Sequence, residues 1–380
     1  MKKKVIIFGA SGSIGTQCIE ILNQFETEFE IIAVSVFENQ EFLKNFLDTN
    51  NDIKFAFTNK NFVYENNFSN IKFWNENIIK NIPQEIEFDL AINAISGFAG
   101  FEISLWILNK NKTLLLANKE SLVVGGHLIK ELLKQNKEAR LYPIDSEHAA
   151  IWQCLDKENK IEKILLTASG GNFIDKTIDQ LNEINYEDAF KHPNWKMGAE
   201  ITINSSTMFN KALEIIEAYH LFNTTDIDVL IHKQSIIHSM VQFSDKSIIA
   251  QLSKPDMKQV INYFLHYPKR KNYNQASQLD FDKLINLTLQ NIDVKRFKPI
   301  SFAKQCLTEN NSSAISLNAA NEIAVQAFID KKILFKDITN IVEKIFLLTK
   351  PKKITDFKSI LEFDLLIREQ TKKIIIDKEW

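Results

Sequence analysis

The sequence predicts an α/β fold: a parallel sheet in the N-terminal part, then an α+β part, then a C-terminal helical bundle. Three observations lead to this prediction. Residues 1–144 alternate short apolar runs with amphipathic helical patterns, as parallel strands joined by crossover helices do. Residues 145–262 mix strand-like and helical patterns without that alternation. Residues 302–380 show helical periodicity with no glycine and a single proline, Pro351, which indicates a small helical bundle.

The individual elements follow from the position of each apolar run. Residues 5–8 follow the basic start MKKK and run straight into a glycine, so we interpret them as a first strand and not as part of a signal peptide. Later apolar runs predict strands at 31–36, 88–93, 113–117, 164–167, 229–232 and 247–252. Helices are expected at 146–156 and 207–221, and the Asn- and Lys-rich stretch 59–81 is interpreted as loop.

These patterns divide the chain into four predicted parts. The sheet domain covers residues 1–144 and the α+β domain covers residues 145–262. Residues 263–295 are polar and irregular, which is typical of a connecting arm. Residues 296–380 form the predicted helical domain.

Composition excludes several classes of function. The 46 Lys and Arg against 48 Asp and Glu give a net charge of −2, which argues against nucleic acid as a partner. No apolar run approaches the roughly 18 residues of a membrane helix, so no membrane partner is expected. The three cysteines are an odd number and widely spaced, which favours a reducing, cytoplasmic location.

Glycine is scarce and therefore informative. The chain has 10 glycines, and none lies beyond Gly198. Gly9, Gly12 and Gly15 follow the first predicted strand and open a helical pattern, as in a Rossmann-like turn that binds the pyrophosphate of a dinucleotide. A purely structural strand-to-helix turn is the alternative. The residue that commonly distinguishes NAD from NADP follows the second strand, and here the acidic Glu38 favours a free 2′-hydroxyl.

Two carboxylates, Asp145 and Glu147, stand two residues apart after an apolar run. On an extended segment their side chains would point the same way and supply half of a site for Mg²⁺ or Mn²⁺. A surface turn that caps the next helix explains the same residues equally well. The sequence leaves these two interpretations open.

The segment 205–214 bears a second set of polar side chains. Residues 205–207 resemble a helix cap, and Asn210, Lys211 and Glu214 then lie one turn apart on one helix face. A lysine and a carboxylate beside helix N–H groups suit a phosphorylated, metal-chelating substrate. An exposed amphipathic helix with an ordinary i,i+3 salt bridge is the alternative.

Two further segments are unusual. Residues 167–171 follow a predicted strand with the pattern TASGG, which is typical of a backbone nest for an anion. Residues 192–198 place Trp195 and Met197 in a polar loop, which suggests a lid that closes over a ligand. The histidines outside this loop lack metal-ligand spacing and are interpreted as structural or surface residues.

Together these segments resemble the 1-deoxy-D-xylulose 5-phosphate reductoisomerase family. The matching motifs occur in the family's order and spacing between residues 9 and 325. They are GASGSIG (9–15), LLANKESLV (115–123), PIDSEH (143–148), ASGGNF (168–173), HPNWKMG (192–198), NSSTMFNKALE (204–214), QSIIHSMV (234–241), AQLSKPDM (250–257) and LNAANEIAV (317–325).

The resemblance implies a cytoplasmic, typically homodimeric enzyme with a sugar phosphate substrate, NADPH, and Mg²⁺, Mn²⁺ or Co²⁺. Residues 1–144 would then bind NADPH and residues 145–262 would hold metal and substrate. The implied metal ligands are Asp145, Glu147 and Glu214. The implied substrate-binding or catalytic residues are Lys119, Ser146, Glu147, Ser169, His192, Ser205, Asn210, Lys211 and Glu214. The implied cofactor-binding residues are Ser11, Gly12, Ser13, Ile14, Asn39, Asn118, Glu120 and Gly198, and the lid would include Trp195 and Met197.

The chain departs from the family pattern at a few positions. Members often have Gly-Lys-Asn where this chain has Phe37, Glu38 and Asn39, which brings NADP preference into question. Glu200 and Asn204 replace a usual Lys and Asp, and Lys233 replaces a common proline. The rival functions are a metal-independent semialdehyde or homoserine dehydrogenase and a degenerate, non-catalytic paralogue.

Overall fold

The computed structural model describes residues 1–50, 52–59, 62, 71–74, 82–83, 86–156, 158–181, 184, 186–189, 198–273, 277–283 and 286–380. Within these ranges the chain forms two compact units. Unit 1 comprises residues 1–121, 129–145 and 257–276, and unit 2 comprises residues 122–128, 146–256 and 277–380. The four-part division into 1–144, 145–262, 263–295 and 296–380 stays a prediction.

Unit 1 contains a seven-stranded sheet in which every described pairing is parallel. The strand order is β4-β3-β2-β1-β5-β6-β7, so the order reverses at β1. The carboxyl end of β1 is therefore the topological switch point, where open α/β sheets bind ligands. The strands are β1 (Lys3–Phe8), β2 (Phe29–Ser35), β3 (Phe55–Asn59), β4 (Ile71–Trp74), β5 (Leu90–Asn93), β6 (Thr113–Leu116) and β7 (Arg140–Pro143).

Within the described residues a helix follows each of β1, β2, β5 and β6, as the sequence predicts. Residues Val5 to Phe8 of β1 are fully buried, which explains why this strand is an unbroken apolar run with no polar alternation. The helices of this part of the chain are α1 (Ser13–Gln24), α2 (Gln40–Thr49), α3 (Gly100–Asn109) and α4 (Glu120–Gln135), with α10 (Met257–His266) added from later in the sequence.

Unit 2 combines a mixed sheet with a group of helices. The sheet order is β11-β10-β8-β9-β12, with β8 and β9 parallel and the other pairs antiparallel. Its strands are β8 (Ile161–Ala168), β9 (Ile227–Ile231), β10 (Ile237–Phe243), β11 (Ile248–Leu252) and β12 (Gln290–Asn291). Its helices are α5 (Ser146–Cys154), α6 (Ile178–Leu181), α7 (Tyr186–Ala189), α8 (Ala199–Thr207), α9 (Phe209–Phe222), α11 (Lys298–Cys306), α12 (Ser312–Ile329), α13 (Phe335–Leu348) and α14 (Phe357–Asp377).

The predicted fold class is confirmed: a parallel sheet, a mixed α+β part and a helical C-terminal region. The interpretation of residues 59–81 as loop is wrong in part, because Ile71–Trp74 pairs with β3 as strand β4. A run of four residues surrounded by Asn and Lys gives little periodicity, and pairing with a neighbouring strand decides its conformation. In the described residues, no helix combines the length and apolar character needed to cross a bilayer.

Candidate active site

The turn after β1 has the backbone geometry that a dinucleotide phosphate requires. Gly9 has φ +80°, and a Cβ on Gly15 would lie 2.2 Å from the Gly9 carbonyl oxygen, so both positions depend on glycine. Gly12 is the N-cap of α1, in an extended conformation, and no side chain caps the helix there. The first N–H groups of α1 and its positive end therefore suit an anion.

The predicted cofactor-binding residues of unit 1 lie near the carboxyl ends of three strands. Ser11, Gly12, Ser13 and Ile14 follow β1, whereas Asn39 follows β2 and caps α2 by accepting a hydrogen bond from Phe42 N at 3.1 Å. Asn118 and Glu120 follow β6. The Asn118 amide donates to the carbonyl oxygens of Ile95 and Gly97, each at 2.8 Å, so it also holds the loop after β5 in place. Gly198 is in unit 2, where it is the N-cap of α8.

Lys119 and Asp145 form an ion pair within unit 1. Lys119 follows β6 and Asp145 follows β7, two neighbouring strands of the sheet. Lys119 Nζ lies 2.7 Å from Asp145 Oδ2, and the two side chains are only 13% and 10% exposed. A short, largely buried ion pair of this kind restrains the orientation of both side chains.

The segment after Asp145 is helical. Helix α5 begins at Ser146, so Glu147 lies in its first turn, where a carboxylate interacts favourably with the helix dipole. The prediction that Asp145 and Glu147 share an extended segment is therefore wrong. The helix begins at the first residue of the predicted range 146–156, and Ser146 and Glu147 are typical first-turn residues.

A buried charged cluster joins α5 to α9 in unit 2. Lys211 Nζ lies 2.8 Å from Glu147 Oε1 and also donates to Glu214, which accepts a further hydrogen bond from the Asn210 amide. Lys211 is 3% exposed and Glu214 is fully buried, so the alternative of an exposed salt-bridged helix is wrong. Burial lowers the pKa of Lys211, but the charges of Glu147 and Glu214 outweigh it and the net direction is upward.

This cluster fits a divalent cation by the chemistry of its donors. Carboxylate oxygens of Glu147 and Glu214 lie within 4.8 Å of one another. They are hard oxygen ligands, and the Lys211 ammonium between them shows that the position demands positive charge. Asp145 is joined to Glu147 through a single residue, so the chain itself keeps this third carboxylate near.

The predicted cap at residues 205–207 is wrong, because these residues form the last turn of α8. Met208, with φ 68°, separates α8 from α9. The glycine loop after β8 approaches this end of α8: a Cβ on Gly171 would lie 2.6 Å from Ser206 Cα. The fold thereby brings the loop that contains Ser169 to the helix end that contains Ser205.

His148 and Glu217, beside the cluster, form a pair that the sequence analysis did not predict. His148 follows Glu147, and Glu217 lies one helical turn after Glu214; both side chains are buried. His148 Nδ1 lies 3.3 Å from Glu217 Oε2, and His148 Nε2 lies 3.0 Å from the Glu214 carbonyl oxygen. The signal that could have found them is the i,i+3 spacing of Glu214 and Glu217, together with the adjacency of Glu147 and His148. The pair fixes α5 against α9.

Of the predicted lid, His192, Trp195 and Met197 lie outside the described residues. Gly198, at its end, has no atom of the other described residues within 4 Å of an added Cβ.

A parallel sheet with a glycine turn at its switch point, together with a buried carboxylate–lysine cluster, is typical of dinucleotide-dependent enzymes that act on charged small molecules. Comparison with known proteins narrows this class. Three family descriptions match: 1-deoxy-D-xylulose 5-phosphate reductoisomerase over residues 5–126, its C-terminal domain over residues 141–222, and the DXP reductoisomerase C-terminal domain over residues 252–370. The chain belongs to the 1-deoxy-D-xylulose 5-phosphate reductoisomerase family.

Individual relatives are similar along almost the whole chain. The 1-deoxy-D-xylulose 5-phosphate reductoisomerase of Halothermothrix orenii is 39% identical over 98% of this chain and 99% of its own length. A crystal structure of DOX-P reductoisomerase with NADPH, fosmidomycin and magnesium has a TM-score of 0.90 at 33% identity, covering 98% of both chains. The Zymomonas mobilis enzyme in complex with NADPH has a TM-score of 0.88 at 33% identity, covering 99% of both chains.

Proposed function

We propose that this protein converts 1-deoxy-D-xylulose 5-phosphate to 2-C-methyl-D-erythritol 4-phosphate, a step of non-mevalonate isoprenoid synthesis. It isomerises the straight-chain ketose phosphate to a branched aldehyde and then reduces that aldehyde with NADPH. The buried cluster of Glu147, Lys211 and Glu214 is the observation that carries the proposal. A chain that retained only the family's fold would have no reason to keep these charges buried.

The metal ligands are Asp145, Glu147 and Glu214. A bound Mg²⁺, Mn²⁺ or Co²⁺ stabilises the negative charge that develops on the substrate oxygens during the rearrangement. The carboxylates supply hard oxygen donors, and Lys211 balances their charge and keeps them in place. The His148–Glu217 pair positions α5 and α9 so that Glu147 and Glu214 face each other.

The substrate is held by hydroxyl, amide and cationic groups that suit a sugar phosphate. Ser169 and Ser205 lie on the glycine loop and the helix end that the fold brings together. Binding energy from phosphate contacts orients the reacting carbons. The full set is Lys119, Ser146, Ser169, His192, Ser205, Asn210 and Lys211.

The glycine turn of unit 1 holds the dinucleotide. The reduced nicotinamide supplies the hydride that converts the aldehyde to an alcohol. The turn and the first helical N–H groups bind the pyrophosphate, while residues after β2 and β6 contact the rest of the cofactor. The set is Ser11, Gly12, Ser13, Ile14, Asn39, Asn118, Glu120 and Gly198. The lid predicted from the sequence, residues 192–198 with Trp195 and Met197, would exclude water from the substrate.

The decisive assay follows oxidation of NADPH with deoxyxylulose phosphate as substrate, with and without Mn²⁺. We expect oxidation that depends on both substrate and metal, with methylerythritol phosphate identified by NMR as the product. A metal-independent dehydrogenase would keep its activity in EDTA, and a degenerate paralogue would bind ligands without turnover. Either result would refute the proposed reaction.

We further propose that the enzyme is a cytoplasmic homodimer. All three cysteines are free and buried, in keeping with a reducing compartment. Strand β11 is at the edge of its sheet and exposes Ile248, Ile249 and Leu252, and such an edge favours pairing with a second copy. Light scattering of the wild type and of Ile249→Lys tests this: we expect a dimer and a weakened dimer respectively, whereas a wild-type monomer would refute it.

A further inference from the structure

The segment after β2 lies beside the glycine turn in unit 1. Ala10 N donates to the Ser35 carbonyl oxygen at 2.9 Å, and Gly9 N donates to Ser35 Oγ at 3.0 Å. The carboxyl end of β2 is thus hydrogen-bonded to the turn that would hold the pyrophosphate. In folds of this type the residue that follows β2 meets the adenosine ribose. In this chain that segment contains Glu38.

The backbone around Glu38 is fixed on both sides. The Asn59 amide donates to the Phe37 carbonyl oxygen at 2.6 Å, and Gln40 N donates to the Glu38 carbonyl oxygen at 2.8 Å. The Asn39 side chain is occupied as the cap of α2. Glu38 is exposed on a turn whose backbone these hydrogen bonds hold, so its carboxylate is accessible to a ligand that binds beside the turn.

The sequence on either side of Glu38, and helix α1, offer no cation that would favour a phosphate over a hydroxyl. Helix α1 contains no Lys or Arg, and neither does the stretch from residue 35 to residue 43. The first cation along α2 is Lys44, which is exposed. Within the described ranges no salt bridge involves Glu38. A 2′-phosphate would meet a carboxylate there, whereas a ribose 2′-hydroxyl can donate a hydrogen bond to it.

We infer that this chain uses NADH as well as NADPH, with Glu38 accepting a hydrogen bond from the 2′-hydroxyl of the adenosine ribose. The inference rests on the proposed function only in placing the dinucleotide at the glycine turn. Both cofactors transfer one hydride from nicotinamide C4 to the aldehyde carbon, and a proton from solvent completes the alcohol. The cofactors therefore differ in binding and not in chemistry.

The test measures dissociation constants directly, without turnover. NADH and NADPH are titrated separately into the full-length protein by isothermal calorimetry, using the wild type, Glu38→Gln, Glu38→Lys and Glu26→Lys. Glu26 is an exposed residue in the loop before β2, at the opposite end of that strand, so Glu26→Lys makes the same charge change away from the ribose position.

We expect the wild-type constants for the two cofactors to differ by less than about tenfold. Glu38→Gln should weaken NADH binding, and Glu38→Lys should shift the NADH-to-NADPH ratio by about thirtyfold or more toward NADPH. Glu26→Lys should leave the ratio within about twofold of the wild type, because the charge is screened at that distance.

Two outcomes would overturn the inference. The first is a wild type that binds NADPH more than about a hundredfold tighter than NADH. The second is a Glu38→Lys variant whose ratio matches that of Glu26→Lys. If NADPH binds and is oxidised with deoxyxylulose phosphate while NADH fails to bind, the proposed function stands and only this inference fails. If neither dinucleotide binds, both fail.

Discussion

The glycine turn of unit 1 and the charged cluster of unit 2 offer a charged ligand two different kinds of partner. The turn uses backbone: three glycines within seven residues and the N-terminus of α1. The cluster uses side chains from two helices, and Lys211 is 64 residues beyond its partner Glu147. The conformation of the turn is enough to make its backbone N–H groups available to a ligand. The cluster instead depends on buried charged side chains that compensate one another.

Because the two sites are built differently, different substitutions should disrupt them. A backbone site fails when a Cβ is added, because the turn can no longer close. A side-chain site fails when one charge is removed, because its partners are left uncompensated in the interior. Substitutions should therefore separate the two sites cleanly, with one affecting dinucleotide affinity and the other affecting metal binding and turnover.

The largest effect is expected from Glu214→Gln in the cluster. The change replaces the carboxylate of a proposed metal ligand with a neutral amide of the same shape. The value of kcat/KM should therefore fall by about a thousandfold or more. The exposed Glu158→Gln in the same unit makes the same chemical change and should leave kcat/KM unaltered. Steady-state kinetics at saturating Mn²⁺ gives the comparison. A Glu214→Gln enzyme with nearly full activity would remove this residue from the mechanism.

The glycine turn should give the next largest effect, through Gly15→Ala. The added Cβ would lie 2.2 Å from the Gly9 carbonyl oxygen, so the turn must open and the NADPH dissociation constant should rise by about a hundredfold. Gly198→Ala, where no atom of the described residues lies within 4 Å of the added Cβ, serves as the control for thermal stability only and should leave Tm unchanged. Equal losses of Tm in the two variants would argue against this steric account.

A smaller effect is expected where α5 is fixed to α9. Glu217→Ala removes the partner of buried His148, which should lower the free energy of unfolding by about 3 kcal/mol and reduce kcat. Glu217→Gln keeps a hydrogen-bond acceptor for His148, so its free energy of unfolding should fall by only about 1 kcal/mol. NADPH affinity in the unit 1 site should be the same in both variants, as measured by calorimetry. A change in NADPH affinity without a change in kcat would contradict the positioning role.

The smallest effect concerns Glu200 near the start of α8. Burial, and then the nearby carboxylate of Glu322, raises the pKa of Glu200 to about 7, while Arg368 opposes the shift. A raised pKa means that the protonated form favours folding, and this contribution is lost as pH rises from 4.5 to about 7. Because the Gln side chain does not titrate, the stability of Glu200→Gln relative to the wild type should increase by about 2 kcal/mol as the pH rises across this range. Parallel stability curves for the two proteins across this range would contradict the assignment.

The same contrast explains what could be predicted from the sequence. The glycine turn is local: strand, turn and helix occupy adjacent residues, so the pattern at residues 5–15 predicts its position directly, and its dinucleotide-binding role stays a prediction. The faces of α9 could also be predicted, because Asn210, Lys211 and Glu214 follow helical spacing. Their burial could not, since it depends on residues far away in sequence that cover the helix.

The wrong and missed predictions concern residues whose conformation or pairing depends on tertiary structure more than on local sequence preference. Ser205 and Ser206 have the composition of a helix cap, yet they end α8 because Met208 adopts φ 68° and starts a new helix after them. The pairing of His148 with Glu217 was not visible because α5 and α9 are 55 residues apart, counted from Cys154 to Phe209. From the sequence, only the family resemblance, which relies on motif order, predicted that Glu147 and Glu214 belong to one site.

Mn²⁺ binding measured by electron paramagnetic resonance shows whether Asp145, Glu147 and Glu214 together hold one divalent ion. We predict one Mn²⁺ per wild-type chain, and an affinity lower by about tenfold or more in each of Asp145→Asn, Glu147→Gln and Glu214→Gln. Glu158→Gln should bind Mn²⁺ like the wild type. Wild-type affinity in all three carboxylate variants, or no bound Mn²⁺ in the wild type, would contradict the account.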